Sequence, residues 1–256
     1  MRTSFGLFGL TLATLATPAF AEDTAPPPAI TINGTATVVS DYRFRGISQT
    51  DKTPALQGSI TVTHKSGLYA SVWGSSVDDY VTASLRAHQE LDLIAGYKKT
   101  YGGTTFDIGV LYYLYPKTRL IPGDTSSSNF VEPYAAISHT LGPVTGKATI
   151  NYAPKQKALR LDQTTGKSFD NVYIAGDLSA SIPNTPLGLT AHVGHTFGPS
   201  WLSIGKEYTD WGLGATYTYK AITLGVQYVD TDGDFITLTG KNASKAGIVA
   251  SIGVSF

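Results

Sequence analysis

The sequence predicts an all-β chain, a transmembrane up-and-down antiparallel β-barrel of about twelve strands, and three observations predict it. Segments of about ten residues alternate apolar and polar side chains with period 2, and none shows a helical period. The connections between them alternate long and short without exception. Charged residues make up 15%, against about 25% in soluble domains, while Tyr reaches 15 and Gly 27, a composition suited to a surface that faces lipid.

Met1 to Ala21 carries Arg2, an apolar run from Phe5 to Ala16 and the small-x-small triplet Ala19-Phe20-Ala21, the pattern of a cleaved secretory signal peptide. The apolar run is too short to span a bilayer as a helix. Residues 22–34, opening with the Pro-rich EDTAPPP, read as a periplasmic leader, and residues 35–256 as the barrel. Without cysteine there is no disulfide and no thiolate metal or redox site. With 19 basic and 19 acidic residues the chain has no electrostatic footprint for nucleic acid.

The first strand is expected over Thr35 to Arg45, where Val38, Tyr42 and Phe44 oppose Asp41, Arg43 and Arg45. Ala55 to His64 sets Leu56, Ile60 and Val62 against Gln57, Ser59, Thr61 and Thr63; Leu68 to Ser75 sets Leu68, Ala70 and Val72 against Tyr69, Ser71 and Trp73. In Gln89 to Lys98, Leu91, Leu93, Ala95 and Tyr97 oppose Glu90, Asp92 and Lys98. In Thr104 to Tyr115, Phe106, Ile108, Val110, Tyr112 and Leu114 oppose Asp107, Tyr113 and Tyr115. Phe130 to Leu141, Val144 to Ala153, Asn171 to Ile182, Leu187 to Phe197, Tyr208 to Tyr219 and Ile222 to Asp230 follow. Pro133 interrupts the sixth segment, because it cannot donate to a ladder. The closing strand, Lys245 to Phe256, alternates to its last residue, with Ile248, Ala250, Ile252, Val254 and Phe256 on one parity.

Long polar connections at 46–54, 76–88, 116–129, 154–170, 198–207 and 231–244 alternate with brief turns at 65–67, 99–103, 142–143, 183–186 and 220–221. Short periplasmic turns and long outer loops give this rhythm, and an even strand count puts both termini in the periplasm. On the lipid-facing parity, Tyr42, Phe44, Tyr112, Tyr152, Phe197, Trp211 and Tyr228 fall near outer strand ends, and Tyr97, Phe106, Tyr217, Tyr219 and Phe256 near inner ends. These are two aromatic girdles.

Val38 to Ser59 (VVSDYRFRGISQTDKTPALQGS), Glu90 to Tyr101, Asp107 to Pro116, Leu189 to Thr196 and Tyr208 to Gly214 together make the chain resemble the TorF-type porin family of proteobacterial outer-membrane proteins. SDYRFRGIS is the most specific piece; His195 stands where the family is expected to have Tyr. The resemblance spans nearly the whole mature chain and implies a porin-like role in the outer membrane of a Gram-negative cell. By resemblance to outer-membrane proteins generally, Phe256 is an element of the signal read by the barrel-assembly machinery. The bilayer and lipopolysaccharide are the other expected partners.

On the lumen-facing parity the sequence gathers Asp41, Arg43, Arg45, Glu90, Asp92 and Glu132 in the outer half and Asp107, Lys147 and Asp177 deeper. Opposed charges across a channel set up a transverse field that orients polar solutes; equally, the arginines pair with the carboxylates and hold a polar interior together. Tyr69, Trp73, Tyr113, Tyr115, Tyr134 and Tyr173 also point inward, as a stacking path or as filling of a lumen narrower than that of a 16-stranded porin.

No cofactor is expected, and there is no G-x-S-x-G, H-E-x-x-H or P-loop. His192 and His195 fall on opposite strand faces and cannot share an ion. Asp230 to Asp234 lacks the Gly and Glu of a calcium loop, with Phe235 and Lys241 at those positions, and reads as a turn. The function expected is passive diffusion of small polar solutes or ions. A non-conducting structural or surface-interaction barrel is the alternative, and an outer-membrane hydrolase the third.

Overall fold

The computed structural model describes residues 28–82, 87–116, 128–161 and 167–256. The signal peptide expected over Met1 to Ala21 and the first residues of the leader lie outside them. Twelve long strands form one closed antiparallel barrel in sequence order: β1 (Ile30–Val39), β4 (Ala55–His64), β5 (Leu68–Ser76), β6 (Gln89–Tyr101), β7 (Thr104–Leu114), β8 (Phe130–Leu141), β9 (Val144–Ala153), β10 (Asn171–Ser181), β11 (Leu187–Phe197), β12 (Tyr208–Tyr219), β13 (Ile222–Thr231) and β14 (Gly247–Ser255). Two short strands, β2 (Arg43–Phe44) and β3 (Ile47–Ser48), form a separate ladder inside the first long connection.

The wall is inverted relative to a water-soluble protein. Ile60, Leu178, Leu213 and Ile248 point outward at 55%, 57%, 64% and 65% exposure, while Glu132, Thr196 and Asp210 are buried inside at 0%, 0% and 2%. An apolar belt around a polar interior is the arrangement that a hydrocarbon surround stabilises. Tyr112, Tyr152, Phe197, Trp211 and Tyr228 are exposed near the loop end, and Tyr97, Phe106, Tyr217, Tyr219 and Phe256 near the turn end.

The first strand departs from expectation at both ends. It starts at Ile30, inside the stretch read as leader, because Ile30 and Ile32 continue the outward parity and pair with His64 and Val62. It ends at Val39, so Asp41, Arg43 and Arg45 are not in the wall. Tyr42 and Phe44, expected in the outer girdle, are turned inside: Tyr42 is fully buried against Trp73, ring centroids 5.4 Å apart, and Phe44 meets Tyr113 edge-on.

Pro133 does not break β8. Alternate residues present their backbone groups to the same neighbour, and on the β9 side the ladder begins only at Tyr134. One step further out, the side-chain amide of Gln156 takes the place of a strand: Val131 N–H donates to Gln156 Oε1 at 2.8 Å, and Gln156 Nε2 donates to Val131 O at 2.9 Å.

Closure falls to β1 and β14, paired from Thr35↔Ser255 to Val39↔Ser251 and extended by Gly34 N–H to Phe256 O at 2.8 Å and Phe256 N–H to Gly34 O at 3.0 Å. A Cβ on Gly34 would overlap the Phe256 ring, so glycine there lets the terminal aromatic lie flat on the seam.

Val226 lies mid-strand on the lipid face, whereas Val254 is one residue from the end of β14. We expect Val226→Arg to cost ~2–4 kcal/mol and Val254→Arg only ~0–1 kcal/mol. Denaturant titration of barrels refolded into vesicles checks this ordering, and equal costs would contradict the depth assignment.

Candidate functional site

After Val39 the chain leaves the wall and enters the lumen as a hairpin. Arg45 (φ 47°) and Gly46 (φ 80°) are both left-handed between the paired residues Phe44 and Ile47, the geometry of a two-residue type I′ turn. Gly46 is required twice over, since a Cβ there would also come within 2.9 Å of the Cβ atoms of Asp210 and Thr231. The tip is therefore pressed against β12 and β13. A second tight turn follows at Asp51 and Lys52 (φ 50° and 62°), where Thr53 N–H donates to Thr50 O at 2.9 Å.

Arg43 holds the hairpin in shape. Its Nε donates to Asp41 Oδ2 at 2.5 Å, and one terminal nitrogen donates to the carbonyls of Gly46, Ala243 and Lys245 at 3.0–3.2 Å. Asp41 also accepts from Ser48 Oγ and Thr50 Oγ1. Ser48 N–H donates to Ala243 O, and Asp51 accepts from Thr237 and Thr239 and pairs with Lys241 Nζ at 3.2 Å. Burial alone would raise the Asp51 carboxyl, but the Thr239 hydroxyl and Lys241 outweigh it and hold it below its ordinary value of 3.8. Burial pushes the Tyr80 hydroxyl up to about 12, so it stays a donor to Ser48 O. The first and last long connections are one bonded unit.

Arg45, at the hairpin tip, crosses the lumen. Its two terminal nitrogens reach Glu132 Oε1 at 2.7 Å and Asn171 Oδ1 at 3.2 Å, and the guanidinium lies 4.2 Å over the Tyr173 ring. Glu132 also accepts from Tyr113 and Asn151 at its second oxygen. Beside it, Glu90 accepts from Tyr42 at 2.8 Å and Tyr115 at 2.7 Å, one hydroxyl per oxygen. Asp92 is buried next to these, with Oδ1 lacking a hydrogen-bond partner.

Toward the turn end, Tyr173 donates to Asp210, and His192 spans two carboxylates, Nδ1 to Asp177 at 2.6 Å and Nε2 to Asp210 at 2.9 Å. An imidazole that donates at both nitrogens is the cation. Gly194 leaves the space that the Tyr173 ring occupies over β11. Below this, Tyr69 and Tyr134 meet hydroxyl to hydroxyl, Tyr69 donates to Asp107 at 2.7 Å, and Lys98 Nζ sits 5.0 Å over the Tyr69 ring. Lys147 faces Asp177 directly across the β9–β10 ladder.

The structure thus brings Arg45, Glu132, Tyr113 and Tyr173 together at one level, with Glu90, Asp92, Tyr115 and Trp73 alongside. Asp41 and Arg43 shape the hairpin, and Asp107, Lys147, Tyr69 and Tyr134 line the turn half. Asn151, Asn171, His192 and Asp210 were missed; Asp210 and His192 lie on the inward parity, opposite Trp211 and Val193, so alternation carried their signal. Asp230 bonds to the adjacent Thr231, Asp234 to Asn242 within the same connection, and Asp232 accepts from Thr209 N–H at the start of β12.

Residues 22–256 match a bacterial family of unknown function described as Gcw_chp, and the chain belongs to that family. No curated protein matches the sequence. Among solved structures, the fold is similar to that of the NanC porin, at 13% identity and a TM-score of 0.57, over 88% of this chain and 99% of that one. It is also similar to the COG4313 outer membrane channel from Pseudomonas putida F1, at 12% identity and a TM-score of 0.50, over 94% and 99%. At such identities the likeness is one of fold, an outer-membrane barrel.

Arg45→Met strands Glu132 as a buried, uncompensated charge and is expected to cost ~3–5 kcal/mol. Adding Glu132→Gln should recover much of that loss; strictly additive costs in a double-mutant cycle would show that the pair is not coupled. Because the Asp51 carboxyl is held low when folded, its contribution is full above 3.8 and lost as pH falls through the lowered value. Hydrogen exchange in residues 40–54 and 232–246 should therefore differ between wild type and Asp51→Asn near neutral pH, begin to converge as the pH falls below 3.8, and coincide once it has passed the lowered value. A difference that persists in acid would remove Asp51 from this role.

Proposed function

We propose that this chain is an outer-membrane channel for passive diffusion of small polar solutes or ions, with the inserted hairpin as its constriction. The observation that carries this reading is the polar continuity of the lumen past the hairpin tip. A cavity of about 80 Å³ lies there, lined by Arg45, Asn151, Asp177, His192, Asp210 and Gln227 among others. Asp107 and Lys147 continue the charged lining toward the turn end. A barrel built only to present loops has no need of unlike charges along its whole interior, where apolar filling is less costly than buried ions.

The TorF-type assignment belongs to the same proposal and rests on SDYRFRGIS, the segment that builds the hairpin. So do export by the signal peptide, contact with lipopolysaccharide, and recognition of Phe256 by the assembly machinery. The non-conducting alternative has its own support: the hairpin occupies the loop half of the lumen, and both oxygens of Glu90 and of Glu132 are engaged.

Planar-bilayer recording decides between the two. Unitary steps are expected from the refolded protein, with larger steps from Arg45→Ala and a reversal potential in a salt gradient displaced toward cations, because Glu132 loses its counter-charge. Silence from both proteins at every voltage would leave the non-conducting reading in place.

A further inference from the structure

A second cavity lies above the hairpin, on the loop side, and borders the lumen network at Glu90 and Tyr115. Its volume is about 280 Å³, close to the ~300 Å³ at which small-molecule sites begin, and it is neither sealed nor flat. Phe44, Tyr80, Phe130, Trp201, Leu202 and Phe235 are among its lining residues, drawn from the hairpin, β8 and three separate connections. These walls are braced: Trp201 Nε1 donates to Val81 O at 3.2 Å, and Tyr80 and Phe235 pack with ring centroids 5.8 Å apart.

Two polar groups in this apolar wall point to a ligand. Glu90 lines the cavity, and each of its oxygens, bonded to one tyrosine hydroxyl, keeps a second lone pair for a further donor. Ser128 also lines it; this residue is 5% exposed, and its Oγ is buried without a hydrogen-bond partner among the described residues. Neither Lys nor Arg is among the described lining residues. A buried hydroxyl with no partner is costly unless something bonds to it.

We infer that this cavity is a binding site for small aromatic amines, the ring packed among Phe44, Trp201 and Phe235 and the ammonium directed to Glu90 and Ser128. Aromatic walls attract cations through their ring faces, and a carboxyl group in the wall favours a donor over an anion. The site is a matter of equilibrium binding, so it stands or falls apart from conduction.

The test is calorimetric titration of the full mature chain in nanodiscs, corrected with empty nanodiscs, using benzylamine, benzyl alcohol and benzoate. Saturable 1:1 binding of benzylamine is expected, with benzyl alcohol about tenfold weaker, a difference of ~1.4 kcal/mol, and no binding of benzoate. Leu202→Trp, which fills the cavity, should abolish benzylamine binding, and Glu90→Gln should reduce it to the level of benzyl alcohol. If Glu90→Gln does not fold, the three probes on the wild type carry the charge test alone. Benzoate bound as tightly as benzylamine, no benzylamine binding, or binding unchanged in Leu202→Trp would each overturn the proposal.

Discussion

Closure of the hydrogen-bond ladder is the constraint from which the rest follows. In hydrocarbon an unpaired backbone group costs several kcal/mol, so a sheet can cross a bilayer only without edges. Here the last edge is removed by the short β1–β14 seam, whose register runs from Thr35↔Ser255 to Val39↔Ser251 and whose final bonds use the terminal residue itself. Those bonds tie the backbone of Phe256 to Gly34. Once the ladder is closed, parity has only two destinations, lipid or lumen, and every side chain in the wall is committed to one of them.

The lumen then faces its own difficulty. Twelve strands enclose a space narrower than that of a 16-stranded porin and too polar to collapse as an apolar core. The chain resolves this with unlike charges and hydroxyls brought into contact: Arg45 with Glu132, His192 with Asp177 and Asp210, and tyrosines on Glu90, Glu132, Asp107 and Asp210. Charge-assisted bonds are worth roughly twice neutral ones, and the Arg45–Glu132 pair is one of them. The aromatics serve as long-armed donors whose rings also fill volume, which is why Gly194 sits beneath Tyr173: a tyrosine that must reach across the lumen needs a bare stretch of backbone to lie on.

Nearly all of the wall was legible from alternation, because period 2 and the polar connections are direct consequences of the closed sheet. The failure was local and has a physical cause. From Val38 through Phe44 the apolar residues keep their parity, so the pattern reads as one strand, yet the chain turns inward at Ser40, whose N–H still caps Ala250 O. Periodicity records side-chain alternation and is blind to the direction in which an extended segment runs. The Arg45-Gly46 pair held the missing signal, since a glycine after a polar residue suits a type I′ turn. The contact between Arg45 and Glu132 was beyond reach for a different reason: it joins a hairpin tip to a strand far along the chain, and a pairing of that kind exists only once the barrel has closed.

How firmly the hairpin is fixed can be argued from where its bonds go. Arg45, Asp51 and Lys52 are left-handed without being glycine, at ~1–2 kcal/mol each. That strain belongs to the two turns and stays with them wherever the hairpin moves, so it does not drive the hairpin out of the lumen. More of the bonds that hold the hairpin run to residues 237–245 than to the wall: Arg43 to Ala243 and Lys245, Ser48 to Ala243, Asp51 to Thr237, Thr239 and Lys241, with further bonds to Asp78 and Tyr80 in the second long connection. Its links to the wall are fewer and lie at the lumen end, through Tyr42 to Glu90, Arg45 to Glu132 and Asn171, and the packing of Gly46 on Asp210 and Thr231. The position of Arg45 in the lumen is therefore set by the hairpin's bonds to the last long connection together with those to the wall, and carbonyl groups some two hundred residues along the chain are among the acceptors that hold it.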